Sequence, residues 1–351
     1  MNMKLKELDF DIASDLVALR PIEPRDESKL LISENPLKII KFKNIVKILK
    51  PGDALVINDT KVIRSDITGY VNESKISINL NRIIDKKKNL WSAFIKSNKK
   101  IQLKQNINLK HKIGCKVIEI RKEKNFASYI IEFGLTYTDL IEFLNSYGNV
   151  PLPPYIKKKR PVNQSDFKNY QTVFANKIGA VAAPTASLHF TKRLINKIKK
   201  NGINIITLTL HVNGGTFIPI KSNVVEDHSM HFEKGIITKE SADKINYLKK
   251  KGGRIFAVGT TVLRLLESSK DDEGNIKAFD GETNIYIKPG WKINTIDALI
   301  TNFHTPKSTL LLLIYAILGK KRTKEIYSFA IKHRMRFFSY GDACLIWNKN
   351  E

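Results

Sequence analysis

Hydrophobic and polar positions change rhythm along this chain. Near the start, Leu30-Leu31-Ile32 and a polar turn lead into an apolar-periodic stretch that runs through Ile45-Val46-Lys47-Ile48-Leu49. Pro51-Gly52 ends it, and Ala54-Leu55-Val56-Ile57 reads as a short buried strand. Between residues 62 and 133 the texture becomes alternating, as in Lys75-Ile76-Ser77-Ile78-Asn79-Leu80 and Leu90-Trp91-Ser92-Ala93-Phe94-Ile95. Cys115-Lys116-Val117-Ile118-Glu119-Ile120 and Ser128-Tyr129-Ile130-Ile131 repeat it, with polar turns between. Alternation of period two sends successive side chains to opposite faces, so this segment predicts an all-β unit, a small barrel or sandwich. Thr138 is placed to cap a helix ending near Gly148, where glycine can take the left-handed conformation.

Beyond Pro151 strand-like runs alternate with helical patterns. Ala180-Val181-Ala182-Ala183, residues 203–210 and Ile255-Phe256-Ala257-Val258 are the runs; residues 195–200 and 241–250 are amphipathic, with Lys outward. Strands separated by helices predict a largely parallel sheet. The chain is thus expected to be α/β: a mostly parallel-sheet domain of residues 1–61 and 150–351, with residues 62–149 as a small antiparallel β unit inserted into it or added to it.

Composition narrows the class. The chain is 42% hydrophobic and 27% charged, the profile of a folded protein. Its formal net charge of +26 attracts polyanions, nucleic acid first among them. Lysines outnumber arginines 48 to 12, so a compositional bias toward Lys, Asn and Ile accounts for part of that charge. Cys115 and Cys344 stand far apart, which argues against a disulfide framework or a cysteine zinc site. The first ten residues lack the apolar core of a signal peptide, and the longest apolar run, residues 310–318, is too short to span a bilayer. Cytoplasm is the expected location.

Groups capable of chemistry gather beyond residue 180, where six of the seven histidines lie. In an open α/β sheet, ligands bind beyond the carboxyl ends of strands, where these segments fall. Residues 182–190 join small residues to Thr185 and His189; a histidine satisfied beside a tight turn is the plainer reading. His211-Val212-Asn213-Gly214-Gly215-Thr216 offers paired glycines that admit a ligand close to backbone N–H groups, or simply a turn. Neither a P-loop nor a dinucleotide fingerprint is present. Glu226-Asp227-His228-Ser229-Met230-His231-Phe232-Glu233 is dense enough for acid–base work, could hold a metal through His228 and His231, or is a solvated charged turn. In Gly259-Thr260-Thr261, Thr260 caps a helix whose free N–H groups favour an anion, with Arg264 and Glu267 spaced to pair with each other. Asn302 and His304 precede the helix that Thr305-Pro306 starts, and Phe337 and Tyr340 close the series, such aromatics being core more often than stacking platforms.

In this order, these segments closely resemble the S-adenosylmethionine:tRNA ribosyltransferase-isomerase family of queuosine biosynthesis. Val56-Ile57-Asn58-Asp59-Thr60-Lys61-Val62-Ile63, Pro151-Leu152-Pro153-Pro154-Tyr155-Ile156 and Tyr170-Gln171-Thr172-Val173-Phe174-Ala175 carry the resemblance, with residues 179–190, 211–219, 226–233, 258–268, 301–313 and 336–343. It runs nearly end to end. It implies an α/β domain with a β-barrel inserted after the first strands. It also implies an enzyme that transfers and isomerises the ribosyl moiety of S-adenosylmethionine onto 7-aminomethyl-7-deazaguanine at the tRNA wobble position. Adenine and methionine leave, and epoxyqueuosine remains in the tRNA. S-adenosylmethionine is then a co-substrate; no cofactor or metal is expected, the partner is the precursor-bearing tRNA, no membrane is involved, and the enzyme is expected to be a monomer.

The roles that follow are expectations too. His211, His228, Glu226, Asp227 and His304 would act at the ribose. Thr185, His189, Asn213, Gly214, Gly215, Thr216, Thr260, Thr261, Asn302 and Tyr340 would bind substrate, and Arg264 would hold the methionine carboxylate. Phe337 is an alternative to Tyr340 for stacking on a base. Two stretches depart from the family pattern: Arg64-Ser65-Asp66 stands where a Pro-Ala-Arg run is usual, and Ser77 where the Lys75-Ile76 strand usually continues with Glu. They fall on RNA contacts or barrel packing rather than on chemistry. A divergent, catalytically weak homologue that still binds tRNA is the alternative, to be distinguished by altered site loops. An unrelated methyltransferase would need a Gly-rich loop after the first strand, and none is present.

Overall fold

The computed structural model describes residues 3–123, 126–214, 224–225, 228 and 230–348. Two short strands, β1 (Lys29–Ile32) and β2 (Lys38–Lys41), come first. The apolar stretch behind them is a 3-10 turn, Phe42–Lys47, that buries Phe42, Ile45 and Val46. In β3 (Ala54–Asn58) every residue is buried, as a strand covered on both faces must be. Ala54 and Val56 face one apolar layer, Leu55 and Ile57 the other. Then β4 (Thr60–Val62) leads to the second unit.

That unit is a closed antiparallel barrel of β5 (Asp66–Val71), β6 (Ser74–Asp85), β7 (Leu90–Lys96), β8 (Asn106–Asn108), β9 (Gly114–Glu123) and β10 (Phe126–Phe133), in the order β10-β7-β6-β5-β8-β9. Alternation sends Ile76, Ile78 and Leu80 inward, while Lys75 and Ser77 stay exposed. Helix α1 (Tyr137–Tyr147) adds Leu140, Phe143 and Leu144 to the barrel core. Its cap is Thr136, which accepts from the Asp139 amide at 3.3 Å, rather than Thr138. Gly148 does end the helix, but with φ −82°. Glycine is needed there for room: a Cβ would lie 2.1 Å from the Arg64 carbonyl oxygen. Paired amide–carbonyl bonds between Asp66 and Asn149 tie the barrel's entry to its exit.

Two short helices, α2 (Pro154–Lys157) and α3 (Gln164–Asn169), precede β11 (Lys177–Ala180), which pairs with β4 in a parallel ribbon. The remainder alternates: α4 (Lys192–Lys200), β12 (Asn204–Leu210), β13 (Glu233–Ile237), α5 (Lys239–Lys250), β14 (Ile255–Val258), α6 (Thr260–Ser269), β15 (Phe279–Thr283), β16 (Ala298–Asn302), α7 (Thr309–Lys332) and β17 (Ala343–Trp347). The main sheet runs β15-β13-β12-β3-β14-β16-β17-β1-β2. It is parallel through its centre, β12-β3-β14-β16, and again between β17 and β1; the other pairs are antiparallel. The fold is α/β with a six-stranded barrel, and the sheet is more mixed than strand–helix alternation suggested. Helix α7 is capped by Ser308, which accepts from the Leu311 amide at 3.2 Å, so Thr305-Pro306 lies before it; Gly319, with φ +72°, breaks the helix. Cys115 and Cys344 are free and buried. Among the described residues, no helix is long and apolar enough to cross a membrane.

Candidate active site

Beyond the carboxyl ends of β14 and β16 lies a cavity of about 400 Å³. One wall carries Thr185, Thr260, Thr261, Arg264, Asn302 and His304. Apolar lining comes from Pro153, Pro154 and Tyr155 around the start of α2, and from Phe338. The Tyr155 hydroxyl accepts from the Ser339 amide at 3.0 Å, and its ring meets Phe338 edge-on at 5.1 Å.

Helix α6 opens into this space. Its N-cap is Gly259, at φ +100° with no side-chain cap, so Thr260 is the first helical residue rather than the cap. Uncapped N–H groups at a helix start are donors with a partial positive charge. Arg264, one turn in, is buried and bonded to the buried Glu233 carboxylate, not to Glu267. Glu267 bonds instead to Lys270, Trp291 and Thr295. The Glu233–Arg264 pair uses only part of the guanidinium: its Nε and Nη2 have no hydrogen-bond partner among the described residues. Buried N–H groups without partners are costly, so this guanidinium, on a residue that lines the cavity, keeps donor capacity that an acceptor could take up.

A chain of hydrogen bonds sets the other polar side. The Thr185 hydroxyl donates to Asn302 Oδ1 at 3.0 Å, and Asn302 Nδ2 donates to His189 Nε2 at 3.2 Å. His189 Nδ1, the protonated nitrogen on this assignment, bonds Ser28 Oγ at 2.7 Å. Its ring stacks on Phe42 at 5.0 Å, and burial, with Arg336 and Arg25 nearby, lowers its pKa to about 3. His189 is therefore neutral and stands behind the wall, orienting Asn302. His304 is on the wall, tied through Nε2 to Thr301 Oγ1 at 2.9 Å and through its backbone N–H to the Tyr327 hydroxyl at 2.9 Å. Burial lowers its pKa to about 3 as well.

His211 belongs to a neighbouring cluster. Its Nδ1 lies 2.8 Å from Thr60 Oγ1, and Gly179 packs on its ring so closely that a Cβ would sit 2.8 Å away. Burial lowers its pKa against the pull of Asp59, whose carboxylate accepts from Thr209 at 2.6 Å. Asn58 links this cluster to the cavity by donating to the Leu210 carbonyl and to Thr261 Oγ1. Asn213 lies behind Arg264, its amide donating to Glu233 at 3.0 Å, while the Gly214 amide donates across to barrel residue Asn81 at 2.8 Å. His228 sits apart from the cavity wall, against Tyr286 at 5.9 Å, with its pKa lowered by burial and by His231. Tyr340 is also absent from the wall, buried edge-on to Tyr170 at 6.1 Å, and Phe337 is in the core against Phe303. Gly215, Thr216, Glu226 and Asp227 lie outside the described residues. Among the described residues, no group of three or more His, Cys, Asp and Glu side chains is placed to hold a metal.

The family described as "Queuosine biosynthesis protein" matches residues 5–346, a span that contains the whole cavity. The chain belongs to that family. An S-adenosylmethionine:tRNA ribosyltransferase-isomerase of Rickettsia bellii is 45% identical, covering 99% of this chain and 100% of its own length. One from Erythrobacter litoralis is 41% identical, with 98% of each covered. A crystal structure of an S-adenosylmethionine tRNA ribosyltransferase from Thermotoga maritima superposes with a TM-score of 0.53 at 28% identity, covering 97% of this chain and 99% of that one.

In this queuosine biosynthesis protein several groups at the site were not singled out by sequence. Glu233 was only the last residue of a charged stretch, and Asn58 only part of a matching motif. Both are buried polar residues on strands, a signal visible once the strands are placed. Tyr155 and Ser28 gave no such signal; their partners lie 184 and 161 residues away.

Proposed function

We propose that this chain is an S-adenosylmethionine:tRNA ribosyltransferase-isomerase acting on tRNA that carries 7-aminomethyl-7-deazaguanine at the wobble position. The observation that carries the reading is Arg264: a buried guanidinium on the first turns of α6, only part of whose hydrogen-bonding capacity is used among the described residues, lining a cavity that Pro153, Pro154 and Phe338 also line. That is a seat for a ligand with a carboxylate at one end and a flat ring able to pack on apolar side chains, as S-adenosylmethionine has in its methionine and adenine ends. Full-length identity of 40% or more to relatives of that name supports it.

The chemistry sets defined demands. The sulfonium acidifies the adjacent 5′ carbon, and a base removes a proton to leave an ylide. Adenine is expelled, the aminomethyl nitrogen bonds to the ribosyl carbon, and closure of the epoxide releases methionine. His211 is the base in this scheme: it is neutral near pH 7, and its Nε2 has no hydrogen bond among the described residues. His228, with Glu226 and Asp227, would serve further acid–base steps. Asn302, Thr185 and His304 donate to or accept from the ribose and the departing adenine, and Thr260 and Thr261 shape the carboxylate end. No electron leaves or enters, so S-adenosylmethionine is a co-substrate and no resident cofactor is required. We further propose that the enzyme works in the cytoplasm as a monomer.

Incubation with S-adenosylmethionine and precursor-bearing tRNA tests the reading. Adenine and methionine should be released and an epoxide nucleoside should appear in the tRNA digest. Tight tRNA binding with no adenine release would overturn it in favour of a binding homologue.

A further inference from the structure

A second recess, of about 360 Å³, adjoins the cavity, and Pro154 and Lys158 line both. Its walls come from two units. Asn79 of β6 and Lys96 at the end of β7 belong to the barrel, and Pro151, Lys157 and Lys158 to the segment around α2. The lysines are not equivalent. Lys157 is engaged by Asp66 at 2.5 Å, and Asp66 also accepts from Ser77 at 3.3 Å. The nearby carboxylate is thereby neutralised. Lys96 and Lys158 are exposed and form no ion pair with any described residue, so two uncompensated positive charges line the recess.

We propose that this recess holds the phosphodiester backbone of the RNA next to the nucleotide being modified, with phosphates against Lys96 and Lys158 and the modified base turned past Pro154 into the cavity. The inference rests on the function proposed above. An aminomethyl group can reach a reacting ribose inside a cavity only if its base leaves the stack, and the flanking phosphates then lie at the mouth. Lysines act there as point charges that track a backbone without reading sequence. An acidic peptide would meet the same charges but has no group to place in the cavity, which makes it the rival occupant.

Because lysine is abundant over the whole surface, the test needs a control matched in charge. Lys96→Glu and Lys250→Glu, the latter exposed on α5, change net charge equally. Binding of a fluorescent anticodon stem-loop RNA is measured against salt. Lys96→Glu should weaken it at least ~10-fold and lower the slope of log affinity against log salt by about one, while Lys250→Glu stays within about twofold. Lys96→Met should move the same way by less, with the melting temperature of all three unchanged. Equal losses in the two Glu variants, or none in either, would overturn the recess, as would competition by poly-glutamate as strong as that of RNA. Failure of the functional reading looks different. It is the wild-type enzyme releasing no adenine; a wild type that turns over, with an unaltered KM for tRNA in Lys96→Glu, sinks the recess alone.

Discussion

Inside the barrel, Ile76, Ile78, Leu80, Trp91 and Val117 pack together with no buried charged side chain among the described residues. Around the carboxyl ends of the main sheet's strands, Arg264, Glu233, His189, His304, Asn302 and Asn58 are buried as well. Apolar burial stabilises the first region outright, at about 25 cal/mol per Å². The second forgoes part of that stabilisation and keeps hydrogen-bonding capacity unused at Arg264. Buried polar groups with spare donors are where a ligand can complete the structure, and among the described residues Arg264 is the one of them that also lines the cavity.

Arg264→Met should have the largest effect. Breaking a buried ion pair from one side costs about 3–5 kcal/mol. We expect that loss in chemical denaturation, together with a fall of ~100-fold or more in S-adenosylmethionine affinity by calorimetry. Adding Glu233→Met should restore most of the stability and none of the affinity. If the double variant binds S-adenosylmethionine like wild type, this cluster is an ordinary polar core.

Acid should separate the regions next. His189 and His304 titrate near 3 in the fold, against about 6.5 in an unfolded chain. Between those values the unfolded chain binds more protons, so their stabilisation is whole above pH 6.5 and is lost as pH falls toward 3. Hydrogen-exchange protection factors around β16 should therefore fall with pH before those of the barrel strands. His189→Phe should flatten the dependence and lower kcat ~10-fold or more through Asn302, with a small change in KM. A uniform loss of protection across both regions would contradict the contrast.

Gly179→Ala is a smaller perturbation, a methyl group pressed against the His211 ring. Turnover should fall by about an order of magnitude while the melting temperature moves by only a few degrees; an unchanged rate removes His211 from the chemistry. Smallest is Ser77→Ala, which deletes an exposed hydrogen bond at 3.3 Å. It should alter stability by less than about 0.5 kcal/mol and leave adenine release as it is. A larger loss would mean that the barrel surface at Asp66 supports the site.

Periodicity made the architecture legible. Period-two runs became barrel strands, and the apolar runs at 54–57, 203–210 and 255–258 became strands of the main sheet, whereas of Ala180–Ala183 only Ala180 is in a strand. Caps were less so, because a Thr, Ser or Gly lies within a few residues of each helix start and only the backbone conformation chooses among them, as with Thr136 over Thr138 and Ser308 over Thr305. At the site, local pairing misled. Arg264 and Glu267 are spaced to bond on one helix, yet Arg264 takes Glu233, 31 residues away. His189 was rightly a satisfied histidine beside a turn, but its partners, Ser28 and Asn302, lie 161 and 113 residues away, and no local pattern encodes them. The departures at Asp66 and Ser77 were read separately; across β5 and β6 they bond to one another, and Lys157 supplies the counter-charge.

The two cysteines lie in these contrasting interiors, Cys115 among the barrel side chains and Cys344 in the main sheet. Burial pushes the Cys115 thiol up to about 12 and that of Cys344 higher still, so neither offers a thiolate to solvent at neutral pH. The wild-type enzyme is thus already a silent background for site-directed labelling. A single Lys96→Cys or Lys158→Cys substitution would take a maleimide dye selectively, without stripping native cysteines, and let energy transfer follow an RNA as it docks.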